Sequence, residues 1–263
     1  ILIYWNMKKI LAIFTTLSVF LAVWQMTENR INVDRINNDE TSLEAFLPTP
    51  STIYTSFKDN FGLIISETLI TLERAFAGFV SGFIMAVAIV ALFSFFPILR
   101  HVGIPISVAI NSFPIIGFSP IIILFFGQGT SLSIVFISML ISYFPILINL
   151  DNFVRGIPAD IFNMMKIYNS GNRQIFLKLI FPLSIPTIIE TAKLAVPASI
   201  IGATMGEWLG TRNGIGHLIT VSLYQLNPGV LYASLAAIMF SSIISIFALS
   251  VIGKIVTPWV IKN

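Results

Sequence analysis

SLSIVFISMLISYFPILINL (residues 131–150) is followed within a dozen positions by NMMKIYNSGNRQIFLKLIFP (residues 163–182), and then by another long apolar run. The first stretch is long enough to cross a hydrocarbon core as a helix, which takes about 20 residues. The second carries Lys166, Arg173 and Lys178 and has the spacing of an amphipathic helix. Span, charged helical module, span: this order predicts an all-α integral membrane protein that presents a helical element on one of its faces.

Composition supports the same class. Of 263 residues, 56% are hydrophobic and 10% are charged, too little polar surface for a soluble domain of this length. Charges fall in blocks, with none between Ala75 and Leu99, Val102 and Leu150, or Asn213 and Gly253. Six spans are expected, at about 9–26, 66–97, 104–127, 131–150, 183–209 and 231–253. Gly127-Gln128-Gly129-Thr130-Ser131 reads as the turn between the third and fourth. Met7-Lys8-Lys9 looks like a natural start with a basic flank, so Ile1 to Asn6 are expected not to be native. The following apolar run lacks a clean small-residue cleavage site and is read as an uncleaved first span.

Basic residues near span ends set orientation. With the amino terminus inside, nine Lys and Arg (8, 9, 100, 155, 166, 173, 178, 254 and 262) are cytoplasmic, against four outside (30, 35, 58 and 212). Both termini are therefore expected in the cytoplasm. The outer connector from Thr27 to Asn60 is acidic and ends in a short helix for which Ser51 is a candidate cap. Residues 1–44 are read as a first helix plus connector, and 45–263 as one membrane domain without a fixed-period repeat.

Pro158 suits a first helical turn and Asp160 complements the helix dipole there. Ile157, Ile161, Met164, Met165 and Tyr168 are expected on one side of that helix. Asn169-Ser170-Gly171-Asn172 breaks it, and Gln174 to Ile180 is read as a second helix ahead of Pro182. A helix-turn-helix lying under the membrane results.

The absence of cysteine excludes disulfides, thiolate metal sites and Cys nucleophiles. Two histidines far apart, no carboxylate cluster and no G-x-S-x-G leave no catalytic or metal constellation. No G-x-x-x-x-G-K-[ST] is present to cradle nucleotide phosphates, and no feature points to nucleic acid. Catalysis in this chain is not expected.

Asn163-Met164-Met165, Asn169, Leu179 and Phe181-Pro182 keep the spacing of the cytoplasmic signature of ABC-importer permeases: Glu-Ala-Ala, then Gly, then Ile-x-Leu-Pro. With landmarks from Leu47 to Ser51, Thr68 to Gly82, Ser112 to Pro120, Tyr143 to Asn149, and Gly206-Glu207 through Leu218, the chain resembles the nitrate/sulfonate/taurine/bicarbonate permease group over residues 45–260. Asn169 in place of Gly is a mild change, since Asn tolerates the left-handed conformation.

That resemblance implies a type I permease fold, with a coupling-helix module at about 157–181. Asn163, Met164, Met165, Lys166, Tyr168, Asn169 and Ser170 would seat in a separate ATPase subunit. It further implies two such ATPases holding ATP and Mg, a second permease copy as a homodimer, an extracytoplasmic solute-binding protein, and a bacterial inner membrane. A small solute such as nitrate, a sulfonate, taurine or bicarbonate would be carried. The alternative from another class is a non-transporting membrane scaffold whose module binds a different protein.

For the pathway, the candidates are Asn111, Ser112 and Ser119 around the prolines of the third span, and Ser199 and Thr204 on the fifth. Hydroxyl bonding back to the helix is the competing role for each Ser and Thr. Glu73, Arg74, Glu190 and Lys193 are ionisable residues near membrane depth that need partners. Glu207 is placed at the outer interface. The small-residue runs Ala198-Gly202-Gly206-Gly210 and Gly78-Gly82 permit close helix approach, either within one subunit or at a dimer seam.

Overall fold

A computed structural model describes residues 48–258, together with 15, 16, 18, 19 and 22–27. The expected first span thus falls largely outside the described residues, as does the connector from 28 to 47. All regular structure among the described residues is helical: α1 (Pro50–Asp59), α2 (Phe61–Phe95), α3 (Pro97–Ser112), α4 (Ile115–Phe126), α5 (Ser131–Gly156), α6 (Ala159–Ile167), α7 (Asn172–Gly210), α8 (Ile215–Tyr224) and α9 (Pro228–Val256). Of these, α2, α5, α7 and α9 are each long and apolar enough to cross a membrane.

Three expectations change. The third span is not one helix: α3 and α4 are bent 102° from each other. Pro114 explains the break, since it has no N–H to continue the ladder and pushes Phe113 into an extended conformation, ψ 134°. The second half of the predicted helix-turn-helix is not a separate element either, because α7 runs from Asn172 without interruption to Gly210. It passes through a π turn at Phe176–Ile180 just ahead of Pro182, where a widened turn relieves the crowding of the proline ring against the preceding carbonyls. Thirdly, the cap of α1 is Thr49 rather than Ser51; its hydroxyl accepts from the Thr52 N–H at 3.2 Å, with Pro50 at the first helical position.

The chain divides into two compact units. In the smaller (Ile1–Ile65 with Leu218–Ala236), Gly229 lies so close to Ser56 that a Cβ there would meet the hydroxyl. Asn227 caps α9 by accepting from the Val230 N–H.

The larger unit (Ser66–His217 with Ala237–Asn263) is built around α5 packed on α7. Small residues make that approach possible: a Cβ on Gly202 would come within 2.8 Å of the Ser138 Cα, and one on Gly206 within 3.4 Å of the Ile134 Cα. Gly78 and Gly82 of α2 abut Ser138 and Ser142 of the same α5. These glycines therefore serve packing inside the subunit. Ala86, Tyr143, Leu147 and Ala195 form the core between α2, α5 and α7.

Candidate functional site

At one end of the larger unit, α6 stands between the long helices α5 and α7. Its buried side is made by Ile161, Phe162 and Met165, which pack with Ile157, Ile175 and Ile180 and with Phe153, Val154 and Leu179. The other side carries Met164 (59% exposed), Ile167 (81%) and Tyr168 (78%), spaced as i, i+3 and i+4. The expected single apolar side is thus two: Met165 points inward while Met164 and Tyr168 face out, and Ile167 joins them. The sequence reading missed Ile167. The signal was its three-residue step from Met164.

Asn163 and Asn169 are also exposed, and Ser170 is half-buried; the Lys166 side chain lies outside the described residues. Asn169 adopts φ +54°, and the Ser170 N–H reaches back to the Met165 carbonyl at 3.0 Å. This is the Schellman closure that a left-handed residue just past a helix end allows. It fixes where α6 stops and holds Tyr168 outward.

Next to this element, Arg100 of α3 grips Asp151 of α5 with both arms, Nε to Oδ1 and Nη2 to Oδ2, each at 2.7 Å. Phe95 stacks obliquely on Phe176, ring centres 6.0 Å apart.

The opposite end of the same helices holds a second polar knot. Glu207 of α7 has no exposed surface, so the expected interfacial placement gives way to a buried one. Its carboxylate accepts from Arg74 Nη1 at 2.7 Å, from the Thr71 hydroxyl at 2.7 Å and from the Gly216 N–H at 3.0 Å. Arg74 also donates to the Asn213 side chain at 2.6 Å and to Ser131 at 3.3 Å. The Gly214 N–H donates to Glu67, and the Ile215 N–H to Thr71. Gly214 has φ +100°, and a Cβ there would strike the Glu207 carboxylate, so only glycine fits. The stretch from 211 to 216, a loop that runs into the first turn of α8, is in this way tied to α2 and α7. Glu73, the neighbour of Arg74, is exposed and outside the knot.

Lys193 pairs with Glu190 at 2.6 Å across one turn of α7. The pathway candidates separate. Asn111 and Ser112 are exposed at the end of α3, and Ser112 bonds back to Val108. Ser119, Ser199 and Thr204 are buried. Ser199 donates to Val196 and Thr204 to Ile200 within their own helix, while the Ser199 carbonyl accepts from Ser138 of α5. None of the five lines the apolar hollow of about 560 Å³ formed by α3, α4 and α5, whose walls include Ile110, Phe113, Phe118, Phe126 and Phe136. Among the described residues no group of His, Asp and Glu is placed to hold a metal ion.

Comparison with known proteins places this arrangement. Among solved structures, the inward-facing MetNI methionine ABC transporter is similar with a TM-score of 0.66 over 75% of this chain and 97% of that one, at 17% identity, a likeness of fold. A probable ABC transporter permease protein of Haemophilus influenzae is 26% identical over 88% of this chain and 90% of its own length. The formylaminopyrimidine transport permease protein ThiX of Halalkalibacterium halodurans is 30% identical over 59% of this chain and 62% of its own. The model for binding-protein-dependent transport system inner membrane components matches residues 75–262, and the chain, a helical membrane protein with the type I permease fold and an outward-facing apolar helix between two of its spans, belongs to that family of ABC-importer permeases.

Proposed function

We propose that the chain is the passive gate of an ATP-driven importer, with α6 as the element on which a separate ATPase pulls. The observation that carries this is the exposed triad Met164, Ile167 and Tyr168 on a short helix whose other side is packed into the subunit. An apolar stripe of that size on a helix end suits a protein groove. A helix anchored by its buried side moves its neighbours as a rigid body when the groove moves. ATP and Mg belong on two such ATPases. Two permease copies enclose the pathway within the lipid, and an extracytoplasmic binding protein delivers the solute.

The excess of basic residues near Arg100, Arg155 and Lys178 supports a cytoplasmic location for the α6 end, with both termini inside. The 211–216 loop then lies outside. Residues 45–263 act as the transport domain, preceded by the first span and its connector.

The anions named with the family resemblance and the pyrimidine named for the ThiX relative are the two solute classes to weigh. Arg74, Arg100 and Lys193 are each engaged by a carboxylate, while Arg155, Arg173, Lys178 and Lys254 lie near the ends of their helices. Purifying the chain with its binding protein and identifying the bound small molecule tests the solute. Copurification of a P-loop ATPase, lost on Tyr168→Asp, tests the gate; an ATPase that stays bound to that variant overturns the docking assignment.

A further inference from the structure

We propose that the Arg100–Asp151 fork is the link through which movement of α6 reaches the broken span α3–α4, making both side chains positioning residues for gate opening; this rests on the docking of an ATPase at α6. Three observations converge on it. Asp151 is buried, 5% exposed, two and three residues before Phe153 and Val154, the residues of α5 that pack against the buried side of α6. Arg100 sits in the first turn of α3. The far end of α3 is the 102° break at Phe113 and Pro114. The fork thus joins the part of α5 that feels the docking helix to the near end of a lever whose other end is a hinge.

The chemistry of the contact fits this task. Two parallel bonds at 2.7 Å, Nε to Oδ1 and Nη2 to Oδ2, fix angle as well as distance between two helices. Apolar contacts would let the helices slide. Packing between α3 and α5 is much less extensive than between α5 and α7, so the fork carries a large share of the connection. With the fork in place, a shift of α5 turns α3 with it. The core formed by Ile134, Ile200 and Ala203 holds α5 and α7 together independently of that motion.

The test uses the assembled complex of permease and ATPase in lipid. Because the chain has no cysteine, introduced cysteines at Leu124 on α4 and Ile255 on α9, 82% and 72% exposed, take spin labels selectively. The distance between them is read without nucleotide and after trapping with Mg-ATP and vanadate. The unaltered permease is expected to show a shifted distance on trapping. In Asp151→Asn and Arg100→Gln the ATPase remains bound and hydrolyses ATP, but the shifted population falls at least about fivefold, the scale of an ordinary coupling free energy.

Arg100→Lys, which keeps the charge on a flexible ammonium that cannot form the two-pronged fork and leaves Asp151 paired, is expected to fall between. Exchange of the pair, Arg100→Asp with Asp151→Arg, recovers part of the shift. The proposal is overturned if the unaltered distance does not respond to trapping, if Arg100→Lys responds like the unaltered protein, or if the exchange is no better than the single changes. It is overturned equally if loss of the shift tracks loss of bound ATPase, which would make the fork a support for the docking helix alone. Failure of the docking reading itself would show differently, as absence of any ATPase on the unaltered chain.

Discussion

Arg74 and Glu207 stand 133 positions apart and meet at 2.7 Å, and the Glu207 carboxylate has no surface left to solvent. Three donors satisfy Glu207, and Arg74 in turn holds Asn213 and Ser131. The pair is the centre of the knot that ties the 211–216 loop to α2 and α7.

Removing one member should therefore be costly. Glu207→Leu leaves a buried guanidinium without its carboxylate, and Arg74→Leu leaves the converse; each is expected to destabilise by about 3–5 kcal/mol. Replacing both with leucine should cost much less than the sum of the two. Thermal unfolding of the purified protein in detergent, taken as a double-mutant cycle, measures the difference; additive losses would show that the two side chains do not depend on each other.

The two sides of α6 should respond differently to an acidic residue. Ile167→Asp and Met164→Asp alter only the exposed stripe, so the permease keeps its thermal stability while the copurified ATPase is lost. Met165→Asp places a charge among Ile175, Ile180 and Leu179, and should lower the stability of the permease itself by about 2 kcal/mol or more. Paired melting and pull-down measurements separate the two effects. Equal behaviour of Met164 and Met165 would contradict the division of the helix.

Asn169 holds a left-handed conformation that a β-branched side chain resists. Asn169→Val is expected to destabilise by about 1–2 kcal/mol and to weaken ATPase binding through a frayed α6 end, while Asn169→Gly should be neutral or slightly stabilising. Hydrogen exchange at the Tyr168 and Ser170 amides reports the fraying directly.

Packing between α5 and α7 sets the last expectation. Gly202→Ala puts a Cβ 2.8 Å from the Ser138 Cα, a backbone atom that cannot swing aside, and should cost about 1–3 kcal/mol. Gly171→Ala has no atom within 4 Å of the new Cβ and should be tolerated. Melting curves for the two variants decide it.

What was legible in the chain was everything that local physics writes down. Long, charge-poor apolar runs gave α2, α5, α7 and α9, because only a helix satisfies its own backbone in hydrocarbon. The motif spacing marked α6, and the chemistry of Asn169 foretold its left-handed turn. Tertiary structure alone decided which charges meet. Arg74 bypasses adjacent Glu73 for Glu207, and Arg100 finds Asp151, because partners are chosen by the packing of helices remote in sequence, which no local pattern records. The same reason governs the division of α6. Helical spacing placed Met164 and Met165 on one apolar surface, and only the positions of α5 and α7 determined that the first faces outward and the second is packed within.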